Sequence, residues 1–509
     1  MATAIRETER KYEAPPGVPL PDLRDLPRVA TQSPDGEVRL DATYHDTATY
    51  DLARAGITLR RRTGGEDAGW HLKVPENGSG TRTELRLPDG PELPAEFVGL
   101  LTARLRGRAL RPVAMITTRR RLSTLADAAG DPLAEIALDT VTAEALGHQS
   151  ALTRWSEVEV ELAQGVDDGD GGRLLKAADR RLRRSGLTRS QHRMKLEVAL
   201  AGALPEQVPA SLRRKSITAG EVVLAYLRNQ FEELLRRDLL VRRAEPDAIH
   251  RMRVAARRTR AALQEFRKLF RGAEIEQLIS ELRWLGQELG AARDEEVLRD
   301  LLLEELDEVP VESVLGPVRA RIVGHFAPRL AEAERRLHET LDSPRYLALL
   351  DELEAFVANP PAVADAERRA AAVLPRLVQR SQGRVKRRMR VARLAPIGER
   401  RDHALHDARK AAKRARYAAE AASLALGRQP RKSARALEKL QSTLGDHHDA
   451  VIAAHALRTL AITVHGEGEN SYTYGLLRAR QDERAERLAQ RAHREWRRAN
   501  RSKRTAWLR

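Results

Sequence analysis

A histidine followed by basic residues three, seven, eight and ten positions later occurs twice in this 509-residue chain. The first copy, HRMRVAARRTRAALQEF, starts at His250 and contains Arg253, Arg257, Arg258 and Arg260. The second, HDARKAAKRARYAAEAA, starts at His406 and contains Arg409, Lys413, Arg414 and Arg416. A further block follows each in step: Leu282, Leu285, Leu289, Gly290, Arg293 and Asp294 match Leu437, Leu440, Leu444, Gly445, His448 and Asp449. Two blocks at nearly equal separation imply a duplicated unit, and the Ala/Leu/Arg/Glu texture around them predicts that it is helical. At about 100° per residue, offsets 0, 3, 7 and 10 fall within an arc of about 80°. One face of each helix is therefore a cationic row. The other face holds Met252, Thr259, Leu263, Phe266 and Phe270 in one copy, and Ala408, Ala415, Ala419, Ala422 and Leu426 in the other. Neither row contains an acid of its own. Like charges on neighbouring turns repel by a few tenths of a kcal/mol per pair, so keeping them twice implies a polyanion that offsets the repulsion.

Charge divides along the same line. Residues 1–205 hold 30 basic and 30 acidic side chains, and the net +17 falls wholly on residues 206–509. Nucleic acid is the usual partner of such a surface. Aromatic residues are only 4% of the chain, however, so base-stacking platforms are scarce and a polyanion without bases fits equally well. The absence of cysteine excludes disulfides and thiolate metal sites. The opening MATAIRETERKYE has no apolar signal core, and arginines break every apolar run of spanning length. These features lead us to expect a soluble cytoplasmic protein with no membrane partner.

Residues 1–200 have a different texture. ETERKYE, GITLRRR, GWHLKVP, TRTELRL, MITTRRRLSTL, LAEIALDTVTAE and WSEVEVELA each read as a strand between Gly, Pro or Asp loops, predicting about eight strands in a closed or nearly closed antiparallel sheet. Most carry charges of both signs at i and i+2, which share a face. Glu7, Glu9 and Lys11 form one such set, and Glu157, Glu159 and Glu161 another. Arg60 with Arg62, Lys73, Arg82 with Glu84, Arg119 with Arg121, and Glu135 with Asp139 follow the same pattern. If these faces point inward, the barrel encloses a charged tunnel. Clustered carboxylates there need cations, and guanidinium and ammonium groups need anions. Hard divalent ions with a multi-phosphate ligand meet both needs. The proline-bearing segment 201–216 reads as a linker, and 217–500 as the helical domain, with its second copy from about residue 370.

The ordered motifs of the first part resemble the CYTH family, the triphosphate tunnel metalloenzymes. Glu7-Thr8-Glu9-Arg10-Lys11 stands as its ExExK signature, and YHDTATYDLARAGITLRRR as its YYDT…LRxR stretch. The resemblance implies an antiparallel tunnel barrel with Glu7, Glu9, Asp139, Glu157 and Glu159 binding Mg²⁺ or Mn²⁺. Lys11, Arg60, Arg62, Lys73 and Arg119 or Arg121 would grip the phosphates, and Glu84 would orient basic neighbours or a water. Glu7, Glu9, Lys11 and Glu84 would be the catalytic set. The family's closing Ser-Lys stands here as Met194-Lys195, which adds Lys195 as a phosphate ligand. The duplicated HxxRxxxRRxR pattern resembles the CHAD domain, two pseudo-symmetric four-helix bundles associated with inorganic polyphosphate. It implies that His250, Arg253, Arg257, Arg258, Arg260, His406, Arg409, Lys410, Lys413, Arg414 and Arg416 line a polyphosphate-binding surface. Affinity would strengthen below about pH 6.5 as histidines gain charge.

Together these resemblances imply a metal-dependent inorganic triphosphatase fused to a polyphosphate-binding domain, cytoplasmic and associated with polyphosphate granules. Competing readings are a hydrolase or cyclase acting on thiamine triphosphate or a nucleoside triphosphate, a non-catalytic polyphosphate scaffold, and a nucleic-acid-binding protein.

Overall fold

The computed structural model describes residues 2–76, 80–146, 151–192, 194–201, 203–204 and 216–508. It divides into two compact units, Met1–Val208 and Pro209–Arg509. Most of the expected linker, 201–216, lies outside the described residues.

The first unit contains strands β1 (Thr3–Ala14), β2 (Thr31–Asp46), β3 (Thr58–Thr63), β4 (Gly69–Pro75), β5 (Thr81–Leu87), β6 (Arg111–Ala126), β7 (Pro132–Ala145), β8 (Leu152–Leu162) and β9 (Thr188–Arg189). Their order is β5-β4-β3-β2-β6-β7-β8-β1. β1 closes the ring: Thr3–Thr8 pair with β5, and Glu9–Ala14 pair with β8. The result is a closed eight-stranded antiparallel barrel, with β9 appended to β1. One strand was not legible in the sequence. β2 contains Pro34-Asp35-Gly36, which reads as a turn. In the barrel these residues sit at a register shift, on the half of β2 that pairs only with β6, where proline removes no second ladder.

The outer faces of β1, β7 and β8 supply Tyr12, Ile136, Leu138, Val158 and Val160. They pack against Leu174, Leu175, Ala178 and Leu182 of helix α1 (Asp168–Arg184). Because strand side chains alternate, this burial turns Lys11, Asp139, Glu157 and Glu159 into the lumen. At one end of the barrel, Met194, Leu196, Ala199 and Leu200, on and around the short helix α2 (Lys195–Ala199), pack on Tyr44, Ala114, Ile116, Val141 and Ala143.

The second unit is all-helical. Its long helices are α3 (Ala219–Arg242), α4 (Ala248–Phe266), α5 (Glu274–Asp307), α6 (Val318–Asp342), α7 (Pro344–Ala358), α8 (Ala370–Leu394), α9 (Glu399–Leu426), α10 (Arg428–Gly466) and α11 (Tyr472–Ala499). α3 starts in a capping box, with the Thr218 and Glu221 side chains each accepting from the other residue's backbone N–H. α3–α6 and α8–α11 form two successive four-helix sets joined through α7, and α4 packs on α9. In the second set, Leu437, Leu440 and Leu444 of α10 bury against Ala408, Ala412 and Ala415 of α9. The cationic rows start at His250 and His406, on the two helices that meet.

Candidate tunnel and polyanion sites

In the barrel lumen the charged side chains pair across strands. Arg120 stands opposite Asp139, Asp139 opposite Glu157, Lys11 opposite Glu159, and Glu9 opposite Glu161. Oxygen atoms of Asp139, Glu157 and Glu159 lie within 4.8 Å of one another. Lys195 Nζ sits among them, 2.8 Å from Asp139 Oδ2 and 2.7 Å from both Glu157 Oε1 and Glu159 Oε1. Arg120 binds Asp139 at 2.6 and 2.8 Å and also reaches Glu159, which Lys11 contacts as well. Trp155 Nε1 donates to Glu157 Oε2 at 2.7 Å. Burial opposes ionisation of Glu159, but Lys11, Lys195 and Arg120 outweigh it and hold the carboxyl well below its usual range. Three convergent carboxylates offer only oxygen donors, which suits a hard divalent ion.

A second group centres on Glu84, which is fully buried. It accepts from Arg86 Nε at 2.5 Å and Arg60 Nη2 at 3.4 Å, and Lys73 Nζ is 3.3 Å away. His71 Nδ1 also contacts it at 2.9 Å. Lys73 reaches Glu7 as well, at 2.6 Å. Burial pushes His71 down to about 4, so its ring is neutral near pH 7. Burial, then Arg60 and Arg120, lower Arg62 to about 9, although it pairs with Asp67. Asp67, His71 and Glu84 form another compact trio, which differs from the first in offering a ring nitrogen; like the first, it is held by cations, here Arg62, Arg86, Lys73 and Arg60. Burial followed by repulsion from Glu7 pushes Glu161 up to about 8.

The structure places Glu7, Glu9, Lys11, Arg60, Arg62, Lys73, Glu84, Asp139, Glu157, Glu159 and Lys195 in one lumen. One correction follows. Arg119 and Arg121 are exposed, and it is Arg120 that faces inward. Three consecutive arginines show no alternation, so only the pairing of Arg120 opposite Asp139 reveals the parity. Of the five expected metal carboxylates, Asp139, Glu157 and Glu159 converge. Glu7 pairs with Lys73 at 2.6 Å and Glu9 lies 3.3 Å from Lys11, which also contacts Glu159. Sequence reasoning passed over Arg86, which continues the alternation of Arg82 and Glu84, and the buried His71. Trp70 lies on the opposite face of β4 from His71 and Lys73, with its indole donating to Gly90 O.

In the helical unit the row on α4 faces that on α9. Arg253 packs against Gly290, where a Cβ would lie 3.1 Å from its Nη2, and Asp294 accepts from it at 2.6 and 3.0 Å. Arg409 packs against Gly445 in the same way, 3.4 Å from the corresponding Cβ position. The repeated Leu-Gly…Asp block is thus a seat for the first arginine of each row. The rows are not free of acids, as their own helices suggested, because carboxylates arrive from the next turn and from neighbouring helices. Arg416 pairs with Glu420 and Glu438, Arg258 pairs with Glu420 at 3.4 Å, and Lys410 turns to Asp407 at 3.6 Å. Arg257, Arg260, Arg409, Lys413 and Arg414 are in no ion pair among the described residues. Burial and the guanidiniums of Arg257, Arg409 and Arg253 push Lys413 down to about 6. The His406 and His448 rings lie 4.2 Å apart, centroid to centroid. Burial and nearby cations lower both to about 4, so they do not gain charge near pH 6.5.

The CYTH domain profile matches residues 6–191, and the CHAD domain profile matches residues 225–458. Two curated proteins of Mycobacterium tuberculosis, from strains CDC 1551 and H37Rv and both described as uncharacterized, are 36% identical over 496 residues, covering 94% of this chain and 94% of theirs. The chain belongs to the CYTH–CHAD family. Its barrel is a CYTH domain, a family associated with triphosphate hydrolysis or cyclase activity, and its helical unit is a CHAD domain, a family linked to polyphosphate. Among solved structures, the CHAD domain of the plant Ricinus communis is 28% identical, covering 58% of this chain and 97% of its own, with a TM-score of 0.45. PptA from Streptomyces chartreusis is 22% identical, covering 55% and 99%, with a TM-score of 0.47. No described helix of this CYTH–CHAD protein is long and apolar enough to cross a membrane.

Proposed function

We propose that the CYTH domain hydrolyses inorganic triphosphate to diphosphate and phosphate, and that the CHAD domain binds inorganic polyphosphate. The observation that carries the first half is the lumen itself: Lys11, Arg60, Lys73, Arg86, Arg120 and Lys195 face Glu7, Glu84, Asp139, Glu157 and Glu159 inside a closed barrel. These groups pair with one another, and a phosphate chain with a divalent ion offers both sets equivalent partners: several negative charges along the axis for the cations and a hard cation for the oxygen trio. Asp139, Glu157 and Glu159 would hold Mg²⁺ or Mn²⁺, which when bound polarises phosphoryl oxygens. Arg60, Arg62 and Lys73 grip the chain, and Glu84 keeps Arg60, Arg86 and Lys73 aimed. Arg120 and Lys11 neutralise charge as it builds on the leaving diphosphate. A bare phosphate chain is favoured over thiamine or nucleoside triphosphate because the barrel is fused to a domain whose family is linked to polyphosphate; of the aromatics, Trp70 faces away from the lumen, whereas Tyr44 lies 3.2 Å from Arg60 and Trp155 donates to Glu157. The unpaired cations where α4 meets α9 support the polyphosphate half.

The test is phosphate release by the purified chain with Mg²⁺ or Mn²⁺ from triphosphate, ATP, thiamine triphosphate and long polyphosphate. Preferential, metal-dependent cleavage of triphosphate is expected. Polyphosphate binding with no cleavage of any substrate would leave a scaffold.

A further inference from the structure

The two repeats of the helical domain match at their row and seat positions, but one matched pair of arginines, Arg416 and Arg260, has surroundings of different charge. Arg416 lies beside Gln441 Oε1 at 3.3 Å and is closed off by Glu420 and Glu438, each at 2.7 Å. Its counterpart Arg260 lies over Gly286, with Nη1 3.9 Å from that residue's Cβ position. The counterparts of Glu420 and Glu438 are Gln264 and Arg283. The flanking arginines are exchanged across the pseudo-twofold. Arg258 joins the Arg416 end, where it pairs with Glu420 and stacks near Tyr417 at 5.5 Å. Arg414 joins the Arg260 end.

The end containing Arg258 and Arg416 is therefore balanced by two carboxylates, while the end containing Arg260, Arg414 and Arg283 has none at the equivalent places. That second end opens into a cavity of about 320 Å³ between α4, α5 and α8, lined by Gln264, Arg283 and Arg414 and further by Lys268, Arg380 and Arg384. Two acids also line it, but Glu265 is taken by Ser381 and Arg384, and Glu276 lies 3.6 Å from Arg267. Lys268, Arg283, Arg380 and Arg414 are in no ion pair among the described residues.

We infer that the anion track of this domain is one-ended: a phosphate chain seated on the α4–α9 row runs on into the cavity at Arg283 and Arg380, and is stopped at the opposite end by Glu420 and Glu438. The inference rests on the polyphosphate reading of this domain. A chain of phosphates matches the site because its charge repeats along its length, as the cations do from Arg253 through Arg257 and Arg260 to Arg283. Each added phosphate releases condensed counterions when it reaches a cation.

The experiment uses the full chain and long-chain inorganic polyphosphate, titrated calorimetrically at several salt concentrations. Three variants are compared with the parent: R283E/R380E in the cavity, R253E/R257E/R409E on the row, and R335E/R487E. The last is a control reversing two exposed arginines that pair within their own helices. R283E/R380E is expected to weaken binding by about tenfold or more and to lower the salt slope by roughly one to two, with the control within about twofold. R283Q/R380Q serves if the reversal disturbs folding, which thermal melting would show. Cavity variants that bind like the control overturn the one-ended track while leaving the row intact. A row variant that binds like the parent instead removes the polyphosphate reading, and this inference falls with it.

Discussion

Lys413 offers the sharpest trial of polyphosphate binding. It faces Arg253 and Arg257 of α4 and Arg409 on its own helix, with Asp449 of α10 the offsetting acid. Burial and those guanidiniums push its ammonium down to about 6, leaving it half charged at pH 6 and about one per cent charged at pH 8. A phosphate chain laid on the row turns the local field from repulsive to attractive, so the bound lysine keeps its proton and binding takes one up. The sign follows: affinity is full below pH 6 and falls as pH rises. For a bound-state value well above 8, the loss from pH 6 to pH 8 is about fifty-fold, or about 2.3 kcal/mol. His406 and His448, both lowered to about 4, add a further rise only below about pH 5. Calorimetry at pH 6, 7 and 8 and fixed ionic strength, in two buffers of different ionisation enthalpy, gives both affinity and proton uptake. Long chains keep the titrating terminal phosphates a minor contribution. Lys413→Arg, which stays charged throughout, should flatten the profile. A parent protein with equal affinity at pH 6 and pH 8, or K413R with the parent's slope, would refute the reasoning.

Three further outcomes are expected. Arg120→Ala should lower triphosphate turnover about tenfold to a hundredfold, the worth of a charge-assisted contact, whereas R119A and R121A stay within about twofold; steady-state kinetics separates them. Gly290→Ala places a methyl against Arg253 and should weaken polyphosphate binding several-fold, while the helix interior gains about 0.5–1 kcal/mol from losing glycine; reduced affinity with an unchanged or raised Tm is the signature. Lys195→Met strips the shared cation from Asp139, Glu157 and Glu159, so the metal-free protein should lose about 3–5 kcal/mol, and added Mg²⁺ should raise its Tm more than the parent's.

What was legible in the sequence was whatever a period encodes. Alternation identified the inward faces of β1, β5 and β8, because an apolar residue separates successive acids in Glu157-Val158-Glu159-Val160-Glu161. The helical repeat was legible as spacing. β2 was hidden because Pro34 and Gly36 are turn residues that an edge-paired half-strand tolerates. Arg120 was hidden because Arg119-Arg120-Arg121 has no alternation, and its inward aim comes from Asp139 on the next strand. The cation rows looked unpaired because Asp294, Glu420 and Glu438 lie on other turns or other helices. The same distance in sequence concealed the function of Gly290 and Gly445, whose regular spacing was visible but whose contact with Arg253 and Arg409 is made only in the fold.

The two domains hold their cations in opposite states, and this should appear in their response to salt. In the barrel nearly every lumen cation already has a carboxylate: Lys11 has Glu159, Lys73 has Glu7, Arg120 has Asp139, and Lys195 has three. Triphosphate entering there exchanges one buried partner for another and displaces few mobile ions, and buried pairs are weakly screened. On the CHAD row, Arg257, Arg260, Arg409 and Arg414 are in no ion pair among the described residues, and a polyphosphate chain that reaches them releases its condensed counterions. Between about 50 and 300 mM salt, polyphosphate affinity should therefore fall by about a hundredfold or more for three to five neutralised phosphates, while the KM for triphosphate changes by about threefold or less. Measuring both on one preparation, with divalent ion held constant, tests the pairing pattern as a whole. Equal salt slopes would mean that the lumen cations are as free as those on the row, contrary to the ion pairs that fill the barrel.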